Sequence, residues 1–208
     1  MKFPTTLFLS LISLSSLGQI RLTKLDSSGL PKDIKYVGHI VKAVKWTDSL
    51  GLNYVVATET GRIYSTVKGE EDLFDAFLYG YHYIVKNQTT KLVWRIYDFN
   101  EGCSLDLDFS FIDQTFAVTD LDKNGVAEVW MMYENSCHGD VSPVPTKIIM
   151  YERTKKYALR GESRVQVSGT DYVGGSYTLD DNFKKGQPIF RQYAEKLWAQ
   201  NKNEKRHP

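Results

Sequence analysis

The 208-residue sequence predicts a mainly β protein, with antiparallel strands in a compact sandwich or a propeller-blade-like arrangement and one amphipathic helix at the C-terminal end. Three observations carry that expectation. Short apolar or alternating runs recur between turn-forming residues, as half-buried strands require. No glycine-rich phosphate loop opens a helix, and strand and helix patterns do not alternate along the chain, so a parallel α/β sheet is not expected. Clear helical spacing is confined to the stretch from Pro188 onward.

The chain begins MKFPTTLFLSLISLSSLGQ, in which Lys2 precedes a serine-diluted apolar stretch from Leu7 to Leu17 and then Gly18. Basic, apolar and small residues in that order read as a secretory signal peptide, here 1–18. The run is too short to span a bilayer, which needs roughly 20 mostly apolar residues. Residues 19–36 form a lead-in, 37–201 a single β-rich domain and 202–208 a charged tail. The expected strands are 36–46, 52–58, 76–85, 91–99, 115–119, 127–133 and 147–151, with weaker ones at 156–160 and 164–167. The helix covers 188–201. Pro188 suits its first turn, and Phe190, Tyr193, Ala194, Leu197 and Trp198 fall on one face that docks on the β core.

Lys and Arg number 26 against 25 Asp and Glu, and loss of Lys2 with the signal peptide balances them. Such balance offers no electrostatic footprint for nucleic acid or anionic lipid. The expectation is an exported protein, periplasmic or at the cell surface, with no membrane span after cleavage. Export makes Cys103 and Cys137 candidates for a disulfide, with two buried thiols as the alternative. At their spacing the chain-entropy model gives roughly 3 to 4 kcal/mol of stabilisation.

The most chemically loaded stretch is TDLDKNGVAEVW, residues 119–130. Calcium takes six to eight oxygen ligands, and side-chain oxygens at alternating loop positions converge on one point when a glycine permits a sharp reversal. Asp120, Asp122 and Asn124 supply that alternation, Gly125 the reversal, Val126 a backbone carbonyl and Glu128 the closing carboxylate. An EF-hand needs a glutamate at loop position 12 and a following helix; here that position is Met131, and a strand pattern follows. The expected site is therefore a strand-loop-strand calcium loop, with a plain polar hairpin as the competing reading. The segment 45–59, KWTDSLGLNYVVATE, echoes 118–134 in its Thr-Asp, glycine turn and apolar strand, but lacks the further acidic residues.

FAVTDLDKNGVAEVWMMYE, residues 116–134, resembles the repeat unit of FG-GAP (VCBS-type) proteins, whose DxDxDGxxD loops bind calcium between strands of a propeller blade. The resemblance implies one blade over about 103–161; no further calcium loop accompanies it. More widely, VKWTDSLGLNYVVATETG, TDLDKNGVAEVWMMYENSCHGDVSP, KIIMYERTKKYALRGES and FRQYAEKLW resemble a family of exported proteins of Gram-negative bacteria described as surface polysaccharide biosynthesis proteins. That resemblance implies a cell-envelope role and brings no catalytic residues with it.

Other groups weigh less. Tyr79, Tyr81 and Tyr83 fall on one strand face and form a candidate glycan platform, with core packing as the alternative. Cys137, His138 and Asp140 are close in sequence, yet adjacent residues on an extended chain point apart, so a nucleophile-base pair is not expected. Asp106 and Asp108 share one strand face, and His39 and His82 have no metal-pair spacing. The expected function is a non-catalytic envelope protein with a structural calcium loop and an envelope glycan or protein as candidate partner. The alternative is a glycan-processing enzyme using carboxylates such as Glu59, Asp106 or Glu162.

Overall fold

A computed structural model describes residues 20–66 and 72–203; the expected signal peptide and most of the charged tail lie outside them. The first sheet contains β1 (Thr23–Lys24), β2 (His39–Asp48), β3 (Gly51–Glu59), β4 (Ile63–Tyr64), β5 (Phe74–Lys86) and β6 (Thr89–Cys103). All pairings are antiparallel; β5 lies between β6 on one side and β3 and β4 on the other. The second sheet is built from β7 (Asp106–Phe111), β8 (Ala117–Thr119), β9 (Glu128–His138), β10 (Pro145–Glu152) and β11 (Lys155–Glu162). After a separate hairpin of β12 (Arg164–Ser168) and β13 (Asp171–Gly174), β14 (Tyr177–Leu179) returns to pair with β11. The helices α1 (Asp181–Lys185) and α2 (Pro188–Asn201) follow.

The two sheets face each other as a sandwich. Their shared core brings Val55, Leu78 and Trp94 of the first sheet against Met131, Ile149 and Tyr151 of the second. Residues 103–161 supply β7 to β10 and nearly all of β11, five antiparallel strands of this second sheet. The opposite face of the second sheet is also covered: Trp130, Met150 and Leu159 pack on Phe183, Phe190 and Trp198 from the helices. This double burial explains why β9 opens with six consecutive buried residues rather than alternating. Gly161 lets α2 approach, since an added Cβ there would collide with the Trp198 ring.

The outer face of the first sheet is where expectation and structure part. The lead-in folds back over it, and Ile34, with Leu25, Leu30 and Tyr36, packs against Val56, Tyr81 and Tyr83. Tyr81 accepts a hydrogen bond from the Val37 amide at 3.3 Å, and Tyr83 donates to the Lys35 carbonyl at 2.5 Å. Tyr81 and Tyr83 are therefore core, which removes them from the glycan platform of the sequence reading; Tyr79 stays partly exposed and stacks on Tyr97 at 5.2 Å. Apolar surface is withdrawn from water wherever another segment can reach it, and a chain end supplied the cover.

The strand 115–119 begins two residues late, because Asp113–Thr115 forms a 3-10 turn that leaves the sheet edge before β8. The strand face expected for Asp106 and Asp108 is that of β7, whose full range was not among the expected strands, and the short α1 was not anticipated. The helix at 188–201 has the expected bounds. Cys103, closing β6, is bonded to Cys137 on β9 with 5.8 Å between Cα atoms, so the disulfide ties one sheet to the other.

Candidate metal centre

β8 and β9 are antiparallel with Thr119 opposite Glu128, so the loop between them starts and ends at one place. Lys123 and Gly125 adopt left-handed backbone angles, with φ of 59° and 79°. Glycine tolerates that region without penalty, and the reversal aims successive side chains inward. Asp120, Asp122 and Glu128 each offer a carboxylate oxygen, and these atoms lie within 4.8 Å of one another.

Each carboxylate is held differently. Glu128 is fully buried; it accepts hydrogen bonds from Thr119 Oγ1 at 2.6 Å and from the Leu121 amide at 3.0 Å. Thr119 Oγ1 in turn accepts from the Trp130 indole N–H at 2.9 Å. Asp120 accepts the Gly125 amide through Oδ2, while its Oδ1 is buried with no hydrogen-bond partner among the described residues. Asp122 accepts from the Asn124 amide and from Asn124 Nδ2. Three of the five predicted ligand positions thus supply the carboxylate cluster. Asn124 engages Oδ1 with the Val126 amide and Nδ2 with Asp122 and Glu152, and the Val126 side chain is buried in the core.

Burial is the largest influence on Glu128 and pushes its pKa to about 7; Asp122 and Asp120 add to the rise, against the hydrogen bonds from Thr119 and Leu121. Three carboxylates in so small a space repel unless protons or a cation balance them. All donors are oxygen, the ligand type of hard divalent cations, whereas imidazole and thiolate suit transition metals.

A fourth carboxylate, which the sequence reading did not assign to the site, braces the loop from outside. Asp48, at the β2–β3 turn, accepts from the Ala127 amide at 3.1 Å, and Ser49 N–H donates to the Gly125 carbonyl at 2.9 Å. The two echoing segments therefore touch. Asp48 also accepts from the Trp46 indole, the Leu50 amide and Asn53. Its oxygens are met by donors within the protein, so the first echo needs no cation. The shared Thr-Asp-turn pattern was the available signal for this partnership.

The remaining candidates do not converge. Glu59 lines a small cavity between the sheets, Asp106 a broad groove of about 750 Å³ beside Asp108 and His138, and Glu162 neither. Cys137 is disulfide-bonded and so is no nucleophile. His82 is buried between Trp46 and Trp94, with Nε2 2.9 Å from Asn53 Oδ1; burial lowers its pKa to about 4.

Glu128 and His82 pull stability in opposite directions with pH. Glu128 titrates higher in the folded protein than its ordinary 4.5, so without metal its contribution is full below that pH and is lost as pH rises through 7. His82 titrates below its ordinary 6.5, so its contribution is full above that pH and is lost as pH falls towards 4. The slopes oppose between pH 4.5 and 6.5. In chelator, Glu128→Gln is expected to expose the His82 slope as a loss of roughly 3 kcal/mol on acidification, at about 1.4 kcal/mol per pKa unit. Urea midpoints across pH measure it, and parallel profiles for variant and parent would contradict the assignment.

Fold and loop together define an antiparallel two-sheet β protein with an Asp-Asp-Glu cluster able to hold a metal ion. No protein-family model, curated protein or solved structure matches this chain.

Proposed function

We propose that this is an exported, non-catalytic protein of the cell envelope, in which the Asp120–Glu128 loop holds a structural calcium ion and locks β8 to β9. The observation that carries the metal is the buried, unpartnered Oδ1 of Asp120 within a cluster of three carboxylates. A buried acceptor without a donor is costly, and an ion at the centre relieves both that cost and the mutual repulsion. Calcium is favoured by the all-oxygen donor set and by the FG-GAP-like spacing of the loop.

Support for export comes from the signal-like residues 1–18 and from the Cys103–Cys137 bond, of a kind that persists in oxidising compartments. Among the described residues no helix is long and apolar enough to cross a membrane. The role in surface polysaccharide biosynthesis, by holding an envelope glycan or protein, rests on the family resemblance of four sequence runs; glycan-array binding with and without calcium tests it.

Melting in calcium and in chelator tests the metal. An ion at about 100 times its dissociation constant adds about 2.7 kcal/mol to folding. The expected result is a higher melting temperature in calcium, a lower one in chelator, and no difference between the two for Asp120→Ala. Identical melting of the parent protein in both conditions, with Asp120→Ala unchanged as well, would remove the structural-metal reading.

A further inference from the structure

At the edge of the second sheet, the regular ladder on β9 is interrupted between Tyr133 and Trp130, where only the Ile112 N–H donates to the Met132 carbonyl at 2.8 Å. Phe111 of β7 pairs with Tyr133 and Ala117 of β8 with Trp130, while the 3-10 turn Asp113–Thr115 swings outward between them. β2 and β3 of the opposite sheet close this gap into a cavity of about 200 Å³. Val41, Ala57, Phe111, Phe116 and Met131 give it largely apolar walls. An engineered apolar cavity of roughly 150 Å³ holds benzene, so this one accommodates a single ring with a short arm.

One wall group differs from the rest. Glu59, at the end of β3, accepts the Phe111 amide through Oε1 at 2.6 Å, and its other oxygen has no hydrogen-bond donor among the described residues. Burial raises the pKa of this carboxyl, and Asp108 adds to the rise; the Phe111 amide and His39 oppose it. The other charged cavity residues, Lys42 and Asp113, are paired with each other. The lining thus carries one negative charge, that of Glu59, with no cation of the lining paired to it, beside an apolar space.

We infer that this cavity binds a small organic monoamine with an apolar ring or branched body. The body occupies the space beside Phe111, Phe116 and Met131, and the ammonium donates to the free oxygen of Glu59. Charge-assisted hydrogen bonds of this kind are roughly twice as strong as neutral ones. A carboxylate ligand meets repulsion from Glu59 and Asp108, and a neutral one leaves the Glu59 charge unanswered. The site shares no residue with the metal loop and stands independently of calcium.

Calorimetry on the full chain at pH 7 tests it with 2-phenylethylamine, its neutral analogue 2-phenylethanol and the anionic 3-phenylpropionate. The amine is expected to bind about tenfold tighter than the alcohol, one charge-assisted bond's worth, and the acid not detectably. Glu59→Gln should bring the amine down to the level of the alcohol, and Val41→Phe, which fills the cavity from its rim, should abolish binding of both. No amine binding, equal affinity for amine and alcohol, or amine binding unchanged in either variant overturns the inference. Circular dichroism reports folding; should Glu59→Gln fail to fold, the amine-to-alcohol ratio of the parent protein and the Val41→Phe variant decide.

Discussion

Trp130→Ala is expected to remove about 3–5 kcal/mol of folding stability, the usual cost of deleting a large buried aromatic side chain. Trp130 is fully buried on the helix-facing side of β9, 4.6 Å from the Tyr193 ring and 6.1 Å from that of Phe183 by centroid. Two losses combine in the alanine variant: apolar contact between sheet and helices, and the indole N–H that holds Thr119. Trp130→Phe separates them, because it keeps a ring in the layer and removes only the donor. That variant should lose much less in packing, and about 1 kcal/mol from the missing hydrogen bond. Thr119 also donates to Glu128, so Trp130→Phe is further expected to weaken the stabilisation by calcium. Urea unfolding with and without the ion measures both effects. A cost below about 1 kcal/mol for Trp130→Ala would mean that the helices do not bury this face, since the transfer of a side chain this large cannot be that small.

Replacing Cys103 and Cys137 together by alanine is expected to cost roughly 3 to 4 kcal/mol, the chain-entropy value for their separation of 34 residues. The bond joins the last residue of β6 to β9, so without it the unfolded chain regains a long loop and the sandwich loses a covalent tie between its layers. Cys103 is buried, and alanine avoids leaving a hydroxyl without a partner there. Reductant should lower the urea midpoint of the parent protein by a comparable amount and leave the double variant unchanged. Equal midpoints for the parent with and without reductant would show that the bond contributes nothing to stability.

These effects depend on contacts of very different range in sequence, and that range governs what could be read in advance. The Asp120, Asp122 and Glu128 cluster spans nine consecutive residues. Alternation around a glycine turn therefore placed its carboxylates together without knowledge of the fold. Helix α2 was legible because the 3.6-residue period of its apolar face depends only on local geometry. The Asp48 brace on Ala127 joins residues 79 apart, and the Glu59 bond to Phe111 joins residues 52 apart. Neither pairing leaves a local pattern beyond the Thr-Asp echo. β7 shows the same limit: Asp106 and Asp108 were legible as one strand face, but the strand's place beside β9, with Asp106, Asp108 and Ser110 along the polar groove, depends on pairing with distant residues.

The sequence by itself determined the β class, the closing helix, the cysteine pair as candidates for a bond, and the acidic loop, since each follows from periodicity or from chemistry within a short window. Only the tertiary structure decided which strand faces are covered. A strand pattern separates two faces without saying what will lie on either. Tyr81 and Tyr83 became core because residues 20–36 fold over them, and β9 is buried on both sides because the helices return to it. Burial is settled by whichever distant segment reaches an apolar face, and that choice belongs to the whole chain.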